Sequence, residues 1–162
     1  MDKAKKTVIQ LGIFTVPFDD DDKIQENITL YTHKSSEQAK EQLINKAFNL
    51  HSKGNILEAK KYYEDFIKQG LNNCRVFSNY GIILQNLGKL HEAEVSTRKA
   101  IELDPDFTQA HSNLGNILSA LGKTHEAEVS TRKAIELNPD FADAHSNLGN
   151  ILKELGKLHE AE

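Results

Sequence analysis

The sequence holds a single cysteine, Cys74, so no internal disulfide can form, and no second thiol stands near it to suggest a zinc or redox motif. That usage suits a reducing, cytoplasmic setting. No stretch approaches the roughly 18 to 20 uninterrupted apolar residues that a membrane helix needs, so no membrane span is expected. Basic residues are not in excess. With 20 Lys and Arg against 24 Asp and Glu, the net charge is -4, and nothing is left over to neutralise a row of phosphates; nucleic acid is not expected as a partner. Also absent are a nucleophile–base set, a phosphate-binding glycine loop and a metal motif, so the chain is expected to be no enzyme as it stands and to use no cofactor.

What is present is repetition. HEAEVSTRKAIELDPDF at 91–107 returns as HEAEVSTRKAIELNPDF at 125–141, with Asp104 exchanged for Asn138 as the only difference. An active site needs one copy of each special residue, whereas a stacked solenoid needs the same supersecondary unit many times. The period is 34 residues. Frames starting at Lys40, Cys74, Thr108 and Ala142 align Gly54, Gly88, Gly122 and Gly156, and likewise Ala59, Ala93, Ala127 and Ala161. The units are 40–73, 74–107, 108–141 and a partial 142–162.

Within one unit the spacing is helical. Ala110, Leu114, Gly115 and Leu118 make one apolar stripe, which predicts a helix over 108–121. Gly122 should end it, because a stop at positive φ is cheapest without a side chain. A second helix is predicted from Thr124 to Leu137, with Ala127, Thr131, Ala134 and Ile135 inward, until Pro139 stops it for want of an N–H. Asp106 and Gln109 read as a capping pair. His91, His125 and His159 recur one unit apart, but packed helices lie about 8 to 10 Å from each other and zinc wants its nitrogens at about 2 Å, so repeat copies cannot share an ion.

Residues 1–39 stand outside the repeat. Ile9, Leu11 and Ile13, then Phe14, Val16 and Phe18, alternate as a strand with one covered face would, ahead of a charged DDDDK at 19–23, and Ile24, Ile28 and Leu30 continue the pattern more weakly beyond it. The expectation is a short N-terminal arm or a β-hairpin.

Helix, Gly turn, helix, Pro turn at 34 residues resembles the tetratricopeptide repeat (TPR), whose pattern is matched by His111, Leu114-Gly115, Ala127, Ala134 and Pro139. The resemblance covers residues 40–162. It implies an all-α fold, a right-handed solenoid of antiparallel helix pairs. The first unit departs most: Lys46-Ala47 stands for Leu-Gly, Phe66 for Ala and Leu71 for Pro. His111 and His145 replace a large aromatic, and Thr97 and Thr131 replace Tyr or Phe, so modest stability per unit is expected. The fourth unit stops just after Ala161, which would leave Leu148, Ile151, Leu152 and Leu155 without a capping neighbour; a longer parent chain, fraying, or self-association through that open unit would each answer this.

In the TPR family the first helices line a concave groove, and here Asn45, Asn79, Asn113 and Asn147 share one slot of it, with Asn116 and Asn150 one turn along. This is similar to the asparagine ladder of O-linked N-acetylglucosamine transferases, where a row of carboxamides could bond the backbone of an extended peptide. The alternative is that Asn merely bonds neighbouring helices. Ser78, Ser112 and Ser146 flank the row, and Gln109 and Arg75 complete the face. The TPR clamps that hold heat-shock chaperone tails use several Lys and Arg; Arg75 alone does not match them. The resemblance thus implies a scaffold that binds a peptide or partner protein, or else the substrate-presenting front of a longer transferase, with glycosyl transfer as the first guess and sulfo- or methyl transfer next.

Overall fold

A helix that must bury one narrow stripe needs a neighbour at every turn, and the 34-residue unit supplies it by folding the chain back on itself. The computed structural model describes residues 38–156, and every regular element among them is helical. The helices are α1 (38–52), α2 (Ile56–Lys68), α3 (Cys74–Asn86), α4 (Leu90–Leu103), α5 (Thr108–Ala120), α6 (Thr124–Leu137) and α7 (Ala142–Glu154). Helices α3, α5 and α7 start on the first residues of the sequence frames. The arm or hairpin expected over residues 1–39, and the end of the fourth unit, lie outside the described residues.

The two turns alternate for separable reasons. After α5, Gly122 takes φ 73°, its N–H reaches Ser119 O at 2.8 Å and the Lys123 N–H reaches Leu118 O at 2.9 Å. This paired closure uses up carbonyls that the helix end would otherwise leave bare. The proline turn works differently. Asp104 is extended, and its side chain accepts from the Asp106 N–H at 3.2 Å, as Asn138 accepts from Asp140 at 3.2 Å. Asp and Asn present the same oxygen at that place, which explains why the one difference between the two 17-residue copies is silent. The predicted Asp106–Gln109 capping pair does not form: Phe107 is the N-cap of α5 with no side-chain cap bond, and Gln109 turns instead to Asn113. Only α3 has such a cap among α2 to α7, from Asn73 to the Val76 N–H at 3.1 Å.

Each buried layer lies between consecutive units. Ala47, Ala59, Tyr63, Phe66, Val76 and Ile83 form the first, Leu84, Ala93 and Ile117 the next, and Leu114, Leu118, Ala127 and Ile151 the third. Ile151 and Leu152 are each 1% exposed, so the expectation that they lack cover is corrected: Leu114 and Leu118 of α5 pack in one cluster with Ile151, while Leu148 and Leu155 are half-buried. Leu118 meets α7, whereas Ile117 faces back toward Leu84.

Thr97 and Thr131 show what replaced the bulky residue. A β-carbon added at Gly81 would fall on Thr97 Oγ1, and one at Gly115 on Thr131 Oγ1. The helix pair closes onto the glycine instead of leaving a hole. Both threonine hydroxyls are buried without a hydrogen-bond partner. Thr131→Val, which keeps the shape and removes the orphan hydroxyl, is therefore expected to raise stability by about 1 kcal/mol, while Gly115→Ala should lower it by about 1 to 3 kcal/mol through overpacking. Urea unfolding checks both; a Gly115→Ala protein as stable as the parent would show that the helices part without strain.

Candidate functional site

Which face is inside follows from the helix contacts. Helix α3 touches α5, and α5 touches α7, more closely than α4 touches α6, so the first helices lie along the inner side of the stack. On that side a helical residue returns every third or fourth position, and four slots are presented in register. One of these slots is occupied by Asn45, Asn79, Asn113 and Asn147.

These asparagines are not uniformly free. Asn79 Nδ2 donates to Tyr63 Oη at 3.4 Å, Asn113 Nδ2 to Ser78 Oγ at 3.0 Å and Asn147 Nδ2 to Ser112 Oγ at 3.0 Å. Each carboxamide is thus tied to a hydroxyl of the unit before it. Asn113 is 7% exposed, and its Oδ1 also accepts from Gln109 Nε2 at 3.0 Å. Ser78 and Ser112 are buried as acceptors beneath the row, not laid along its surface, whereas Ser146 and Asn45 are exposed. Of the two readings the sequence left open for the row, bonding to a neighbouring helix is the one seen at Asn113.

The second row is different. Among the described residues, the side chains of Asn116, Asn150 and Gln85 make no hydrogen bond to the protein, and all three line an open cavity of about 480 Å³ with Ser119, Asn147, Lys153 and Glu154. Ser119 Oγ donates to Glu154 Oε2 at 3.0 Å, an exposed bond between two of the lining residues. Arg75 and Asn79 lie at the other end, in a cavity of about 670 Å³ with Phe48, Asn49, His51 and Ser52. No group of three or more His, Cys, Asp or Glu side chains among the described residues is arranged to hold a metal ion.

Gln85, Ser119 and Lys153 were missed in the sequence, and so was His51. All four occupy one slot of the repeat, three residues after the slot of Asn116, which helical spacing puts on the same face. Their identities vary from unit to unit, so a search for repeated residue types passes over them. His111 and His145 have structural work instead: Nε2–H donates to Pro105 O at 2.8 Å and to Pro139 O at 2.7 Å, clasping the turn before each first helix.

Burial pushes the His51 imidazole below its ordinary value, so it is neutral near pH 7. The stronger perturbations lie elsewhere: burial, with Glu64 as its hydrogen-bond acceptor, pushes Tyr80 up to about 12. Glu94 is held below the usual carboxylate range chiefly by its hydrogen bond from Lys123, with Arg98 adding to it. No helix among the described residues is long and apolar enough to cross a membrane.

Comparison with known proteins places these features. Family models described as tetratricopeptide repeat match residues 75–107, 108–141 and 131–162. A stretch of 54 residues is 41% identical to the Hsp70-Hsp90 organizing protein 3 of Arabidopsis thaliana, covering 33% of this chain and 10% of that protein, so the match spans about a tenth of that relative's length. Among solved structures, the first TPR of Spaghetti, bound to the HSP90 peptide SRMEEVD, is similar at TM-score 0.68 and 26% identity over 74% of this chain and 94% of that one. The O-GlcNAc transferase of Thermobaculum terrenum is similar at TM-score 0.68 and 28% identity, over 72% of this chain and 22% of that one.

Proposed function

Since this chain belongs to the tetratricopeptide repeat family, we propose that it is a protein-interaction module that holds an extended peptide along the inner face of its first helices. The observation that carries the reading is the cavity lined by Gln85, Asn116 and Asn150, three carboxamides from three successive units with no partner of their own. A carboxamide offers both donors and an acceptor, and an extended backbone offers the complement at every residue whatever its side chains. The first row, Asn79, Asn113 and Asn147, supports this from beneath by fixing one unit against the next. Asn45, Ser146 and Gln109 belong to the same face.

Panning a random heptapeptide library against the protein tests the reading. Enriched peptides should lose at least about tenfold in affinity when alternate peptide bonds are N-methylated, because each methyl removes a backbone donor worth about 0.5 to 1.5 kcal/mol. Peptides that tolerate N-methylation but not alanine scanning would defeat backbone recognition.

Two relatives favour narrower versions. The likeness to an HSP90-peptide complex suggests acidic chaperone tails. The middle of this groove, with Gln109, Asn113 and Asn116, lacks the cations that clustered carboxylates would require, so amidating the terminus of SRMEEVD should leave its affinity within about twofold. The likeness to an O-GlcNAc transferase suggests that the repeats present substrate to a transferase domain. Reading the gene beyond Glu162 tests that version directly.

A further inference from the structure

The outer face of the stack carries a pattern that a peptide in the inner groove leaves unexplained. Second helices α2, α4 and α6 meet each other less closely than the first helices do, so gaps open between them on the outside. One gap is a cavity of about 500 Å³ between α2 and α4, walled by Ile67, Phe77, Tyr80, Leu84 and Val95. Another, of about 470 Å³, lies between α4 and α6 with Ile101, Leu114 and Val129 in its wall. They are the same slots one repeat apart, since Ile67 and Ile101, Tyr80 and Leu114, and Val95 and Val129 stand one 34-residue period from each other.

Val95 and Val129 are 71% and 70% exposed. Valine is a poor choice for an exposed helix position, where it loses side-chain freedom that Glu, Lys or Gln would keep, so its return at the same slot fits a surface that is covered in use. Charge is arranged around it. On α4, Glu92, Val95 and Lys99 follow at i, i+3 and i+7 and share a face, and on α6 Glu126, Val129 and Lys133 do the same. Side by side they make a valine row between a glutamate row and a lysine row. The ion pairs these charges form, Lys89 with Glu92, Arg98 with Glu126, Lys99 with Glu102 and Lys133 with Glu136, are surface pairs that exchange at little cost. On α2 the corresponding slots hold Glu58, Lys61 and Asp65, so the pattern ends at α4.

An extended peptide would bring an unpaired N–H and C=O at every residue, and the cavity walls have little to give it: Ser96 already donates to Phe77 O at 2.8 Å, Tyr80 to Glu64 at 3.1 Å and His111 to Pro105 O at 2.8 Å. A helix brings its backbone already bonded. Closely packed helices lie about 8 to 10 Å apart and the outer side is wider than that, whereas side chains seven positions apart on a helix share a face at about 10.5 Å. Two apolar side chains one heptad apart therefore reach both cavities.

We propose that the outer face of α4 and α6 docks an amphipathic helix of a partner protein, laid across the two second helices with its apolar stripe in the two cavities, basic residues over Glu92 and Glu126, and acidic residues over Lys99 and Lys133. The site is on the opposite side from the inner groove and does not depend on it.

Fluorescence anisotropy with the full chain and a designed helical peptide of about 18 residues tests this. The probe has Leu at i, i+4, i+7 and i+11, Lys along one flank and Glu along the other; two controls carry Lys on both flanks or Glu on both, and a third has proline in its middle turn. The mixed-flank peptide should bind at least about tenfold more tightly than any control. Val95→Gln with Val129→Gln should weaken it at least about tenfold, and because Gln is the better helix former the double variant should melt no earlier than the parent. Lys99→Glu with Lys133→Glu makes both rows acidic and should transfer the preference to the Lys-flanked peptide. Equal binding of the mixed-flank peptide and any control, a valine double variant within about twofold of the parent, no transfer of preference, or no binding at about 1 mM overturns the proposal. So does a concentration-dependent dimer of the chain that the valine double variant abolishes, since that gives the face to a second copy.

Discussion

Tyr63→Ala is expected to be among the most damaging single changes in the domain, at a cost of about 3 to 5 kcal/mol, the usual range for truncating a fully buried aromatic. The ring is 0% exposed, packs against Phe48 with centroids 6.1 Å apart, and belongs to the layer of Ala47, Ala59, Phe66 and Val76. Its equivalents in later units are Thr97 and Thr131, where the helices close onto Gly81 and Gly115. The first unit has Ala47 at the glycine slot and fills the space with the ring, so no similar closure can absorb the loss. Stability in a solenoid is roughly a sum over units and their interfaces. The damage should therefore appear as early melting of α1 and α2, seen as a separate step in helical circular dichroism, with the rest of the array melting near its original temperature. Tyr63→Phe keeps the ring and should cost only about 1 kcal/mol, the value of a hydrogen bond. If the phenylalanine variant were as damaged as the alanine one, the contacts of the phenol oxygen with His51 Nδ1 at 3.2 Å and Asn79 Nδ2 at 3.4 Å would outweigh the packing, contrary to the argument from burial.

The second large effect separates the two asparagine rows. Replacing Asn79, Asn113 and Asn147 together by alanine removes three bonds between units and leaves the buried Ser78 and Ser112 hydroxyls without those donors. The expected loss of stability is about 2 to 5 kcal/mol, from three bonds of about 0.5 to 1.5 kcal/mol each and the added cost of orphaned polar groups. Replacing Gln85, Asn116 and Asn150 touches side chains with no bond to the protein among the described residues, so melting should stay within about 1 kcal/mol of the parent. Affinity for a captured peptide should nevertheless fall by roughly one to three orders of magnitude. Calorimetric titration and a melting curve on each preparation give all four numbers. A second-row variant that binds as well as the parent, beside a first-row variant that folds normally yet fails to bind, would return the ladder to the deeper row.

The period of 34, the helix starts at Cys74, Thr108 and Ala142, the glycine stops and the inward Ala and Leu positions were all legible in the sequence, because each is a local demand repeated in phase. Positive φ at Gly122 and the end of α6 ahead of Pro139 need no knowledge of the neighbouring unit. What the sequence could not supply was the partner of each polar side chain. Asn113 and Asn116 sit three residues apart on one helix and look equivalent in a linear reading, yet one reaches Ser78, 35 residues earlier, and the other lines an open cavity. That difference depends on how far one helix is rotated against the next, which side-chain volumes at Gly81, Thr97, Gly115 and Thr131 set collectively. The Asp106–Gln109 capping pair failed for the same reason: Asn113, one turn along α5 and held in place by the preceding unit, offered Gln109 another partner. Sequence alone determined the repeating frame and the candidate face, since both follow from backbone periodicity; only tertiary packing decided which carboxamides are consumed in holding the stack together and which line the open cavity without a protein partner.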